Sequence, residues 1–183
     1  MNVLLTSCGL ETEKIKSVFL DMLCKNPQDT KALFIPTAAI DPDAIEVLPK
    51  CLNDLLKCGI KRENISVYDL HKAYDGKVSQ AFDIIYICGG NAEYLLERIN
   101  EIGFNNKITE FIDDGGTVVG VSAGSIIFAN NLENNIGLLP CYLDVHCENP
   151  EIPAKIKKDS KERIDLGNEQ GIIFEEDNII IFE

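Results

Sequence analysis

Residues 116–125 read GTVVGVSAGS, and the fold turns on how this stretch is parsed. Thr117–Val121 (TVVGV) shows almost no polar alternation, the pattern of a central parallel strand covered on both faces. Directly after it, Gly120-Val121-Ser122-Ala123-Gly124 fits G-x-S-x-G, a strand-to-helix turn that presents a serine hydroxyl above the sheet. Bulk at positions 120, 123 or 124 would collide with the strand and helix packed there, which accounts for two glycines and an alanine. The Ala123 N–H, at the helix start, would face an oxygen that becomes negative during acyl transfer. A tight turn with Ser122 as a mere N-cap would use the same residues. The strand-turn-helix context favours the nucleophile.

Outward from this turn, short apolar runs alternate with helical stripes. Residues 2–7 (NVLLTS), Ala32–Ile35 (ALFI, stopped by Pro36), residues 65–69 and residues 83–88 (DIIYIC) read as strands. Ile15, Val18, Phe19, Met22 and Leu23 recur at helical spacing, as do Ile45, Leu48, Leu52, Leu55 and Leu56. Pro49 should bend that second helix and Gly59 end it. Tyr94, Leu95 and Ile99, then Ile108, Phe111 and Ile112, mark two more helices. Residues 122–130 read as helix, 131–140 as a polar loop, 141–146 as a strand and 154–163 as a charged helix. Residues 171–182 read as a hairpin turning at Glu176-Asp177. The alternation predicts one α/β domain over residues 1–183, a mostly parallel sheet with helices on both faces and a C-terminal hairpin. In such sheets ligands bind beyond the carboxyl ends of the strands.

The 183 residues carry 17 Lys+Arg against 30 Asp+Glu, a net charge of −13, and 45% are hydrophobic. That balance fits an ordinary globular protein and argues against partners bound through phosphates, so no nucleic acid is expected. No run reaches the length that spans a bilayer, and residues 1–14 lack the charge and apolar pattern of a secretory signal. The seven cysteines are odd in number and none are spaced C-x-x-C, so neither a disulfide framework nor a zinc knuckle is expected. A cytoplasmic protein that needs neither metal nor cofactor follows. Only two histidines, His71 and His146, can serve as a base.

His146 ends the run 141–146 (CYLDVH). A strand there, beside and parallel to the Ser122 strand, would bring its imidazole within reach of the serine at a strand spacing of about 4.8 Å. His71 follows residues 65–69 into a stretch with Asp69, Lys72, Tyr74 and Asp75, which reads as solvated loop. Cys88-Gly89-Gly90-Asn91 follows the strand just before TVVGV and offers a second oxyanion donor, or simply a Gly-Gly turn. Cys88 and Cys147 read as core or rim thiols rather than nucleophiles.

Taken together, GVSAGS (120–125), ICGGN (87–91), IPTAA (35–39), LLTS (4–7) and the downstream strand-end histidine resemble the dipeptidase E (aspartyl dipeptidase) family of serine peptidases. The resemblance implies the class I glutamine amidotransferase-like fold, a flavodoxin-like three-layer αβα sandwich. It implies Ser122 as nucleophile, His146 as base, and oxyanion N–H groups on Ala123 and Gly90, with Asn91 beside the substrate. It also implies a third, acidic residue near the C-terminal strands that orients the histidine; this position falls on Asn168 or Glu169, an asparagine there being a departure from the family, and Asp144, two residues before His146 and on the same face of a regular strand, is a fallback. A preference for N-terminal aspartate would need a cation after the histidine, sought among Lys155, Lys157, Lys158 and Arg163. The expected partner is a small peptide, bound by a monomer or homodimer. Two other functions are compatible with the motifs. A catalytically silent binding protein could keep the turn for packing. A small esterase of the α/β-hydrolase kind shares G-x-S-x-G but expects the order Ser, acid, His, and only 24 positions separate Ser122 from His146.

Overall fold

The computed structural model describes residues 1–183, the side chain of Ser160 excepted. Five parallel strands form the body of the sheet: β1 (Val3–Thr6), β2 (Ala32–Ile35), β3 (Ile65–Val67), β4 (Ile84–Ile87) and β5 (Thr117–Val121). Further on lie β6 (Tyr142–Asp144), β7 (Ala154–Lys157), β8 (Arg163–Asp165), β9 (Gly171–Glu175) and β10 (Asn178–Phe182). The main sheet has eight strands in the order β3-β2-β4-β5-β1-β9-β10-β7, with β9, β10 and β7 joining antiparallel. β6 and β8 form a separate, parallel two-stranded ribbon.

Successive strand residues face opposite layers, so each apolar run fills two cores. On one face Leu4, Phe34, Tyr86 and Val119 pack with Ile15 and Phe19 of α1 (Glu13–Asp21) and Leu55 of α2 (Pro42–Lys57). On the other, Leu5, Ile85, Ile87 and Val118 meet Leu95 and Ile99 of α4 (Ala92–Glu101) and Ile108 and Phe111 of α5 (Phe104–Asp113), which follow the one-turn α3 (Val78–Ala81). This is the expected three-layer αβα sandwich with a mostly parallel sheet. Among the described residues no helix is long and apolar enough to cross a membrane.

Three expectations are corrected. Residues 154–163 are not a helix: Ala154–Lys157 is an edge strand and Arg163–Asp165 half of the ribbon. Their apolar residues alternate with charged ones at a period of two, as in the partly buried Ala154 and Ile156, and lack a 3.6-residue stripe. The strand within residues 141–146 does not lie beside β5, because both edges of β5 are taken by β4 and β1. It pairs with β8 instead. The 122–130 helix is a single regular turn, α6 (Ala123–Ile126), whereas the hairpin turning at residues 176–177 forms as expected.

Candidate active site

β5 ends at Val121 and α6 begins at Ala123, so the chain reverses within one residue. That residue is Ser122, at φ 50° and ψ −112°, a conformation that costs a non-glycine residue on the order of 1–3 kcal/mol. Surrounding bonds hold it. The Ser122 N–H donates to the Thr6 carbonyl at 2.9 Å, and its own carbonyl accepts from the N–H groups of Ser125 and Ile126. Ser125 is wholly buried and acts as a clamp. Its Oγ accepts from the Thr6 N–H at 3.0 Å and lies 2.8 Å from both the Thr6 and Gly120 carbonyl oxygens, either of which can take its proton. The turn also needs close approach. A Cβ on Gly120 would stand 2.4 Å from the Gly124 carbonyl oxygen, and one on Gly124 would stand 2.3 Å from that of Ile87.

His146 arrives from the ribbon, two residues past β6, with φ 60°. Its N–H donates to Ser7 Oγ at 3.2 Å, and the Ser7 hydroxyl donates to the Leu166 carbonyl at 3.0 Å. Ser7, just past the end of β1, thus ties the ribbon to the main sheet. The imidazole bridges two groups: Nε2 lies 2.9 Å from Ser122 Oγ, and Nδ1 lies 2.8 Å from Asn168 Oδ1. An amide oxygen only accepts, so the ring proton belongs on Nδ1 and Nε2 is left to accept from the serine hydroxyl. The Cys8 thiol donates to the same Asn168 oxygen at 3.2 Å.

The turn after β4 borders the serine on its other side. A Cβ on Gly89 would come within 3.0 Å of Ser122 Cβ. Gly90 has φ 136° and no room for a side chain, since a Cβ would lie 2.1 Å from the Ala38 carbonyl oxygen. Asn91 anchors the turn: its N–H donates to that carbonyl at 2.8 Å, and its Oδ1 accepts from the Tyr94 N–H and caps α4. Among the described residues the N–H groups of Gly90 and Ala123 are bonded to no carbonyl. Two donors are therefore available on the serine's flanks.

These parts open on a pocket of about 270 Å³ that Cys8, Glu11, Val47, Leu48 and Lys50 also line. Glu11 and Lys50 form an ion pair at 2.6 Å, with side chains 35% and 59% exposed, so water screens it. Deeper, Asp54 accepts at Oδ2 from the Leu10 N–H (2.9 Å) and the Tyr86 hydroxyl (3.0 Å), and burial raises its pKa. Cys88 is buried beneath the turn and desolvation drives its thiol well above the ordinary range, so it is a poor nucleophile. All seven cysteines are free thiols.

The fold brings together Ser122, His146, Asn168, Gly90 and Ala123, and leaves the other sequence candidates elsewhere. Glu169 is exposed one residue past Asn168. Asp144 pairs with Arg163 rather than with His146, and Arg163 also binds Asp165 at 2.6 Å; these ribbon charges satisfy one another. Lys157 is on β7, the far edge strand, separated from β5 by β1, β9 and β10. His71 is exposed, with Nε2 3.3 Å from Asp69. The sequence reading missed Ser7, Cys8, Glu11 and Lys50. Ser7 and Cys8 were findable, since they follow the strand whose carboxyl end adjoins Ser122; Glu11 and Lys50 look like ordinary solvated charges.

Comparison with known proteins gives a consistent picture. The profile of peptidase family S51 matches residues 3–137. An uncharacterized peptidase of Pasteurella multocida (strain Pm70) is 30% identical over 118 residues, covering 63% of this chain and 56% of the relative. One of Listeria innocua (serovar 6a, strain ATCC BAA-680 / CLIP 11262) is 28% identical over 107 residues, covering 58% and 51%. The chain thus spans about half the length of these curated relatives. A crystal structure of a candidate peptidase E protein from Listeria monocytogenes EGD-e superposes with a TM-score of 0.76 at 20% identity, covering 100% of this chain and 98% of that one. A peptidase from an acI-B1 Actinobacterium gives 0.64 at 16% identity, covering 93% and 82%. These two likenesses concern the fold. The profile match takes in β1 to β5, the Gly89-Gly90 turn and the serine elbow, and on that basis the chain belongs to peptidase family S51.

Proposed function

We propose that this protein is a serine peptidase of small peptides, acting through Ser122, His146 and Asn168. The observation that carries it is the unbroken chain from Ser122 Oγ through both imidazole nitrogens to Asn168 Oδ1, at 2.9 and 2.8 Å. The His146 side of this chain lies beyond the residues the family profile matches, so the geometry supports the reading independently of the motif. A serine hydroxyl is a weak nucleophile until a base takes its proton. In this reading Nε2 takes it as Oγ attacks the peptide carbonyl, and the oxygen that becomes negative is held by the N–H groups of Gly90 and Ala123. The imidazolium then returns the proton to the departing amine. Water, activated by the same nitrogen, hydrolyses the acyl-enzyme. Asn168 keeps the ring in the productive tautomer but adds no countercharge, a weaker stabiliser of the imidazolium than a carboxylate would be.

Recognition of an anionic N-terminal residue falls in this reading to Lys50, the only ammonium among the described residues that line the pocket. A substrate carboxylate would take Lys50 from Glu11, leaving Glu11 to meet the substrate's α-ammonium. The decisive experiment is a dipeptide panel, Asp-X included, run on wild type and Ser122→Ala. Cleavage by wild type and none by the variant is expected; equal turnover by both would refute the assigned nucleophile.

A further inference from the structure

We propose that Cys8 is a positioning residue of this site: its S–H donates to Asn168 Oδ1 and so selects the amide orientation that keeps the His146 ring proton on Nδ1. The inference rests on the Ser122–His146–Asn168 reading above. An asparagine in this role has an ambiguity that an aspartate lacks, because its oxygen and NH2 ends are nearly the same size and only one orientation works. With Oδ1 toward the ring, Nδ1 carries the proton and Nε2 accepts from Ser122. With the amide flipped, Nδ2 donates to Nδ1 and the ring proton moves to Nε2, where it faces the serine hydroxyl. An imidazole in that form cannot act as the base.

Asn168 is exposed, and among the described residues its Nδ2 donates to no protein acceptor, so nothing on that end fixes the amide. The selection comes from the other end. Two donors converge on Oδ1, the imidazole Nδ1–H at 2.8 Å and the Cys8 S–H at 3.2 Å. The thiol is a weak donor and its sulfur a weak acceptor, so a flip exchanges an S–H···O contact to a good amide acceptor for an N–H···S contact to a poor one. Cys8 follows Ser7, whose hydroxyl holds the His146 backbone, so one strand end places both the ring and the group that sets its tautomer. The 3.6 Å approach of Sγ to Nδ1 is then a packing contact, since that nitrogen's proton is directed at Oδ1. Burial, and next the Glu11 carboxylate, raise the Cys8 pKa, so the sulfur keeps its proton at neutral pH.

The test uses Cys8→Ala and Cys8→Ser, each in the Asn168 protein and in an Asn168→Asp background, all carrying His71→Gln so that one imidazole remains. Two readouts are taken: the 15N shifts of the His146 ring, which report the tautomer without turnover, and kcat and KM on the best dipeptide. Cys8→Ala should lower kcat about 3- to 10-fold, the range of one modest hydrogen bond, with KM within about twofold, and an Nε2–H form should appear. Cys8→Ser, whose hydroxyl also donates, should keep the Nδ1–H tautomer and most of kcat. In the Asn168→Asp background Cys8→Ala should change neither readout. An unaltered tautomer in Cys8→Ala, or an equal loss of kcat in both backgrounds, would overturn the proposal. Labelling by a fluorophosphonate probe reports separately on Ser122. A wild type that is not labelled would count against the serine reading, while the tautomer would still decide the role of Cys8.

Discussion

Replacing Ser125 by alanine tests whether the strained elbow is held by the buried hydroxyl beneath it. Ser125 and Thr6 are both fully buried, so water cannot substitute for what is lost. Removing Oγ deprives the Thr6 N–H of an acceptor at 3.0 Å and takes a donor from between the Thr6 and Gly120 carbonyls. The carbonyls keep other donors, the Ser122 N–H on Thr6 and Thr6 Oγ1 on Gly120. The N–H bears most of the penalty. A buried donor that loses its partner costs about 1–3 kcal/mol and the void of one oxygen adds little, but the β1–β5 register leaves the Thr6 N–H facing the Gly120 carbonyl, so a loss of about 1 kcal/mol is expected. Urea unfolding should show it as a lower midpoint with an unchanged slope. Ser122 should also relax from its φ 50° conformation, which the surroundings impose at a cost of about 1–3 kcal/mol, and kcat should fall about tenfold, equivalent to ~1.4 kcal/mol. A stability change below about 0.5 kcal/mol, with kcat retained, would mean that the β1–β5 ladder closes over the gap and that Ser125 holds nothing.

Two further substitutions probe the pocket. Burial raises the Asp54 pKa in the folded protein above its unfolded value, so the folded chain holds that proton more firmly. Its contribution to stability is therefore fully present below the unfolded pKa and is lost as pH rises through the folded pKa. Asp54→Asn can keep one oxygen for both bonds now made at Oδ2 while removing the charge. Urea midpoints should show the variant gaining on wild type from acid to neutral pH, and the opposite trend would sink the assignment. Lys50→Met should cut kcat/KM for Asp-X dipeptides about tenfold or less, as befits a screened pair, and leave substrates with neutral N-terminal side chains within about twofold. A uniform loss across the panel would assign Lys50 to the pocket's shape rather than to recognition of charge.

The parallel half of the fold and its elbow were legible because their signals are local. Thr117–Val121 is buried at every position, and a strand covered on both faces must be apolar throughout. The glycines at 120 and 124 register contacts that admit no side chain. The region after residue 140 was less legible. Ala154–Lys157 shows so few apolar residues that its charges dominated the reading, although its period of two was present. The partner of β6 is β8, separated from it by a whole strand of another sheet, and no local pattern specifies such a pairing. His146 was correctly placed near Ser122 for an incorrect reason, as neighbour strands were assumed and a ribbon does the work. Glu169 competed with Asn168 because a one-residue shift in a loop changes nothing that periodicity can detect. Lys50 was invisible as a pocket residue, since an exposed lysine on an amphipathic helix ordinarily faces only water.

The ribbon has a consequence for how such a site fails. Ser122 stands on the eight-stranded sheet, whereas His146 and Asn168 adjoin a unit of three paired positions, held to the sheet through Ser7 and the burial of Leu143, Ile164 and Leu166 in its core, and steadied by the Asn131 side chain on both backbone groups of Leu143. Short, sparsely paired elements open locally at lower free energy than the whole domain. Warming would then part the imidazole from the hydroxyl while the central strands stay folded, and cooling would restore the contact. Heat tolerance of the chemistry and heat tolerance of the fold become separate properties, governed by different residues.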